Sequence, residues 1–221
     1  MTIAQETLSD RAHAMLRSDI VSGRLAPETR LRIVQLSEAY GIGASPLREA
    51  LSKLTSEFLV LFEPQRGFSV APVSAEELRD ISRVRCDLES EALRRAIEAG
   101  DEAWEAGIVA AFYALGKADT RRRAEPSTDA ADWEDKNRAF HEALVAACES
   151  PWLKRLRGLI YYQHERYRRI SLTHPDPARD LQAEHSAIMD ATLAHDTPEA
   201  IRLSKAHIDQ TTQAVLKVID P

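Results

Sequence analysis

Three histidines fall on the inward stripes of three separate helical stretches, and that placement suggests metal chemistry. His141 follows Asn137 by four residues, and with Trp133, Phe140 and Leu144 the pair shares one face of a helix expected over about 130–148. His185 shares a face with Leu181, Ile188 and Thr192 in a stretch over about 178–195. His207 does the same with Ala200, Ser204 and Thr211 over about 197–218. An imidazole turned into a core needs a hydrogen bond or an ion, because burying it without a partner is costly. Asn137 and His141 can reach one ion from a single helix. His185 and His207 would complete a three-nitrogen, one-oxygen site open to water or a ligand. Such donors suit a divalent transition metal, Zn first and Ni, Fe or Cu as alternatives, over Mg or Ca. The competing reading has each histidine satisfied separately in the core, and spacing leaves both open.

A second group of residues could hold nucleic acid. The segment SPLREALSKLTSE reads as a helix with Leu47, Ala50, Leu51 and Leu54 on one face. Pro46 belongs in its first turn, and Gly43 or Ser45 is placed to cap it. The N–H groups of that turn and the Ser45 hydroxyl can donate to phosphate oxygens. Arg48 is the one long donor near this end, and its planar fork suits a guanine edge or a phosphate. Arg66 and Gly67 close the turn Pro64-Gln65-Arg66-Gly67, where a cation could cross the DNA backbone or enter the minor groove. Arg30, Arg32 and Lys53 could add phosphate contacts.

These residues need a scaffold, and the apolar spacing supplies one. A helix is expected over 7–22, ended by Gly23, then a turn around Pro27 and a short helix over 33–40 stopped by Gly41. After the Arg48 helix, two β-prone runs flank the Pro64–Gly67 turn as a hairpin. Helix, helix, tight turn, helix, hairpin is the order of a winged helix-turn-helix. From Ser74 onward the pattern is wholly helical, with helices over about 75–99, 101–120, 130–148, 151–170, 178–195 and 197–218. The fold class is therefore mainly α, with a winged helix-turn-helix over 1–73 and an all-α six-helix bundle over 74–221. RRRAEPSTDA separates two of the helices as a loop, and HPDP at 174–177 separates two more.

Composition is that of a globular protein and points to the cytoplasm. Charged residues are 29% and hydrophobic ones 44% of the 221. No apolar run reaches the roughly 18 residues that cross a bilayer, and the N-terminus lacks a signal-peptide pattern. Cys86 and Cys148 read as core thiols. The net charge of −6 lies entirely after Val73, since residues 1–73 hold eight basic and eight acidic side chains. A neutral module still binds DNA when its basic groups share a face.

SGRLAPETRL, ASPLREALSKL and EPQRGFSVAPV, in that order, resemble the N-terminal signature of the GntR family of repressors. NRAFHEALVAACESPWL, EHSAIMDATLAHDTPEAI and the later His207 resemble the FCD ligand-binding domain of its FadR-type branch, in the shorter VanR-like version. The resemblance implies a metal held by Asn137, His141, His185 and His207, with Asn in place of the commoner Asp. It implies a small carboxylate effector anchored by that metal, and an Arg facing the pocket at Arg85, whose alternative partner is Glu89 at i+4. Tyr161, Tyr162, Arg166 and Arg169 are further candidates to line that pocket. The chain departs from the family pattern in three places. A Gly is usual where Glu28 or its neighbour sits, and arginines are usual where Val34 and Ala44 stand.

The leading expectation is an effector-controlled repressor that binds a palindromic operator as a homodimer, since one recognition helix gives too little specific affinity. One alternative is a metal-dependent hydrolase using the His cluster, against which Glu184 is expected to point off the ligand face. Another is a protein-interaction module whose winged domain has lost DNA binding, motivated by Val34 and Ala44.

Overall fold

The computed structural model describes residues 7–124, 130–172 and 179–220. Contacts divide the chain into two compact units. One comprises Met1–Ile81, Leu159–His174 and Val215–Pro221, the other Ser82–Gly158 and Pro175–Ala214.

The first unit opens with α1 (Leu8–Val21), β1 (Arg30–Leu31), α2 (Ile33–Tyr40), α3 (Ala44–Ser56), β2 (Val60–Glu63) and β3 (Gly67–Val70). Helix α1 starts at a capping box in which Thr7 and Asp10 satisfy each other's backbone N–H. Its buried Ala12, Leu16 and Ile20 join Leu47, Leu51 and Leu54 of α3 in one apolar core. Helix α2 ends at Gly41, whose φ of 65° would cost an L side chain about 1–2 kcal/mol. Ser37 Oγ donates to the carbonyl of Ile42 at 2.8 Å, and the buried Ile42 pins the three-residue turn to the core. Gly43 rather than Ser45 caps α3, so Ser45 is its second helical residue.

The sheet has strand order β1-β3-β2 with both pairings antiparallel, Arg30 opposite Ser69 and Val60 opposite Val70. The hairpin lies where it was expected. Phe62 and Phe68 face each other across it, with ring centroids 4.9 Å apart. Strand β1 was not anticipated, because two residues carry no period. The turn before it holds Glu28 at φ 65°, at the place where the resemblance implied a glycine.

Six further helices follow, as the pattern required: α4 (Ala75–Ala99), α5 (Glu102–Ala124), α6 (Ala130–Leu144), α7 (Pro151–Leu172), α8 (Leu181–Leu193) and α9 (Thr197–Ile219). Helix α5 runs four residues beyond its expected end, so Arg121–Ala124 are helical and not loop. Residues 125–129 of that expected loop, and the HPDP separator, lie outside the described residues. Helix α6 ends earlier than expected, at Leu144. Helices α4, α7 and α9 each contribute to both units. In the first unit, Leu78, Ile81, Tyr167, Val215 and Leu216 form a cluster of their own. In the second, Trp133 Nε1 donates to buried Asp119 at 2.6 Å, and Trp104 Nε1 to the carbonyl of Ala143 at 2.9 Å. No described helix is long and apolar enough to cross a membrane. Both cysteines are buried thiols.

Candidate functional site

In the second unit α6, α8 and α9 bring His141, His185 and His207 together. One ring nitrogen from each lies within 4.8 Å of the others, and all three side chains are buried. The ring centroids are 4.7–5.4 Å apart. Phe140 closes one side, its ring packing edge-on against both His141 and His185. Asn137 is buried one turn before His141 on α6.

The protonation states follow from the neighbours. Burial pushes the His207 imidazole below its usual range and keeps it neutral, more than offsetting the pull of Glu184. Its Nδ1 lies 2.7 Å from Glu184 Oε2. Burial alone would raise the Glu184 carboxyl, but hydrogen bonds from Arg179 and His207 outweigh it and hold the group at about 2. A carboxylate only accepts, so Nδ1 of His207 must carry the proton. Nε2 is then left with its lone pair. A neutral imidazole oriented by a carboxylate on its far nitrogen is the state that a metal ligand needs. Arg179 fixes the carboxylate in turn, through Nε and Nη2 bonds of 2.7 Å each, and also donates to Thr211 and the His207 carbonyl. Three ring nitrogens within 4.8 Å of one another could close on a single first-row ion, whose bonds run about 2.0–2.1 Å, by a small inward shift of the side chains. The donor set therefore fits a borderline transition metal. His141, His185 and His207 would hold it, and it would supply a Lewis-acidic anchor for an anion.

Glu184 corrects an expectation. It was expected to point off the ligand face of α8, and by its own helix it does. Its target, however, sits on α9. Glu184 and Arg179 are the neighbours of the cluster that its spacing did not mark. Glu184→Gln is expected to weaken metal binding roughly 10- to 100-fold, measured by competition with a chromophoric chelator. Unchanged affinity would contradict its role in orienting His207.

Arg85 of α4 is also buried, and its charge is among those that lower His207. The Glu89 pairing weighed against it is present but long, Nε to Oε1 being 3.6 Å. The other Glu89 oxygen takes Arg157 Nε at 2.7 Å, and Arg157 Nη2 donates to the carbonyl of His141 at 2.9 Å. Tyr162 and Arg166 fall in the first unit. There Arg17 stacks over the Tyr162 ring at 4.4 Å, and Arg166 Nη2 donates to the carbonyls of Ala71 and Pro72. Tyr161 and Arg169 are also in that unit.

The first unit presents the expected DNA-facing residues. Ser45 and Arg48 are exposed at the start of α3, with Pro46 half-buried between them. Arg30 and Arg32 are exposed, and with Arg48 they have no ion pair among the described residues. Gln65 (φ 67°) and Gly67 (φ 81°) shape the wing tip, where Arg66 is 73% exposed and 3.1 Å from Glu63. Lys53 is engaged, 3.0 Å from Asp10 and 3.2 Å from Glu49, so it is a weaker candidate than its sequence position suggested. Val34 is 70% exposed, an apolar side chain at the position where the family usually has an arginine.

Comparison with known proteins agrees with both halves. Residues 8–70 match the model for bacterial regulatory proteins of the gntR family, and residues 80–210 match the FCD domain. The chain is 41% identical over 209 residues to the HTH-type transcriptional regulator BphR of Paraburkholderia xenovorans, covering 95% of this chain and 85% of that protein. It is 35% identical over 197 residues to the HTH-type transcriptional repressor GlaR of Escherichia coli, covering 87% and 89%. The fold resembles that of E. coli McbR/YncC, with a TM-score of 0.82 at 22% identity over 96% of this chain and 99% of that one. The chain belongs to the GntR family of transcriptional regulators and carries an FCD domain C-terminal to its winged helix-turn-helix. Its family and relatives are regulators and not enzymes, which sets the hydrolase reading aside.

Proposed function

We propose that this GntR-family regulator is a repressor that reads a two-fold operator as a homodimer. In this reading residues 1–73 bind DNA, and residues 74–221 dimerise and hold a metal-anchored carboxylate that alters operator binding. The observation that carries the effector half is the convergence of three buried imidazoles from three helices, one of them oriented by a carboxylate that is itself clamped by an arginine. Asn137 is the fourth ligand, and Zn or Ni is the ion this donor set favours. Arg85 supplies a buried guanidinium beside the site, suited to a carboxylate that the metal also polarises. Asn in place of Asp leaves the site one negative charge poorer and so friendlier to an anionic ligand. The repressor assignment draws on GlaR, which is a repressor by name.

The DNA half rests on the exposed start of α3 and the exposed wing tip. Arg48→Ala is expected to cost about 1–3 kcal/mol of operator binding and to relax selectivity at one base step. Arg66→Ala should instead weaken all sequences alike and reduce the salt slope by about 1. Anisotropy titrations at several salt concentrations separate the two. No effect from either substitution would favour the interaction-module reading.

A further inference from the structure

We infer that the first unit contains a second ligand site, built around Arg166 and Arg169 of α7, for a small monocarboxylate with an apolar body. Arg166 is only 4% exposed. Nη2 is used by the carbonyls of Ala71 and Pro72, but Nε and Nη1 are buried with no hydrogen-bond partner among the described residues. No carboxylate lies within ion-pair distance of Arg166 among those residues. Glu77 contributes only at longer range, and it accepts the Tyr167 hydroxyl. A buried cation with idle donors is among the more costly arrangements a fold can hold, and an anion brought to it offsets both the charge and the missing bonds.

A pocket against both arginines offers a place for that anion. Both arginines line a pocket of about 210 Å³ whose other walls include Ile20 at the end of α1, Val70 of β3 and Val73. Arg169 adds a second buried Nε with no hydrogen-bond partner, while its Nη2 stays 3.3 Å from Glu165. The pocket is smaller than the roughly 300–1,000 Å³ that drug-sized ligands occupy, so it suits a short-chain or single-ring acid. Apart from the two arginines and Ser22 the lining is apolar or glycine, which favours an acid with a hydrocarbon body over a polyhydroxy one. No residue is shared with the histidine centre. The walls come from α1, the wing strand and the segment that follows it, so a ligand here bears directly on the DNA-reading module.

Isothermal titration of the full-length protein with hexanoate tests the site. The expected result is saturable binding at one site per chain, retained in His185→Ala and weakened roughly 10- to 100-fold in Arg166→Gln. Val73→Trp, which fills the pocket and leaves the Arg166 contacts to Ala71 and Pro72 in place, should weaken it similarly. Hexan-1-ol, which lacks the charge, should bind far less well. The inference is overturned if the wild-type chain shows no saturable hexanoate binding, or if the alcohol binds equally well. It is overturned also if binding survives both Arg166→Gln and Val73→Trp, or disappears in His185→Ala.

Discussion

His185→Ala is expected to strip the full-length protein of its divalent metal, with affinity falling on the order of 100-fold or more. The size follows from the geometry. His185 is fully buried beside the rings of His141 and His207, at centroid distances of 5.4 and 4.7 Å. Its loss leaves two imidazoles and the Asn137 amide. Removing a group that merely orients a ligand costs roughly 10- to 100-fold, so removing the ligand itself should cost at least the upper end. Added Zn should then stabilise the wild-type chain by about 2.7 kcal/mol at a hundred times its Kd and leave the variant's melting point unmoved. Metal content by mass spectrometry checks the first part and thermal melts the second. Full occupancy in the variant would mean that the histidines are packed for their own sake.

Arg157→Leu is expected to destabilise the second unit by about 3–5 kcal/mol, the range for breaking a buried ion pair from one side. Arg157 is 2% exposed, and its three nitrogens are committed to Glu89 at 2.7 Å, Glu142 at 2.6 Å and the His141 carbonyl at 2.9 Å. Without it, buried Glu89 keeps only the long contact to Arg85. The melting point should fall by roughly 6–20 °C. Because the lost cation also braces the backbone of His141, a proposed metal ligand, metal affinity should weaken as well. The double change Arg157→Leu with Glu89→Leu removes the stranded charge and should recover much of the stability. A loss in the single variant of under 1 kcal/mol would show the network to be better solvated than its burial implies.

Apolar spacing made the helices legible, since Leu47, Ala50, Leu51 and Leu54 recur at the helical period and all four are buried. It could not show β1, which is too short to have a period, nor the end of α5. Three arginines in a row look like loop, yet each is a good helix former, and no proline interrupts before Pro126. The histidine cluster was legible as three inward faces, because period places a side chain on a face. Whether three faces meet depends on how helices pack, which spacing does not encode. The Glu184 contact is hidden for the same reason: its partner, His207, is on another helix. Helix α7 reads as one uninterrupted helix, although Tyr162 and Arg166 fall in the first unit. Nothing in its residues marks that Arg157 serves one unit and Arg166 the other.

The exposed start of α3 and the wing are expected to read a specific operator. A fluorescence-anisotropy titration of the full-length protein against the DNA upstream of its own coding sequence, at two salt concentrations, tests it most directly. Saturable binding is expected, much tighter than to unrelated DNA and weakening steeply with salt. Weak binding of equal strength on both DNAs would contradict it, and would mean that Val34 and Ala44 have removed the contacts their usual arginines supply.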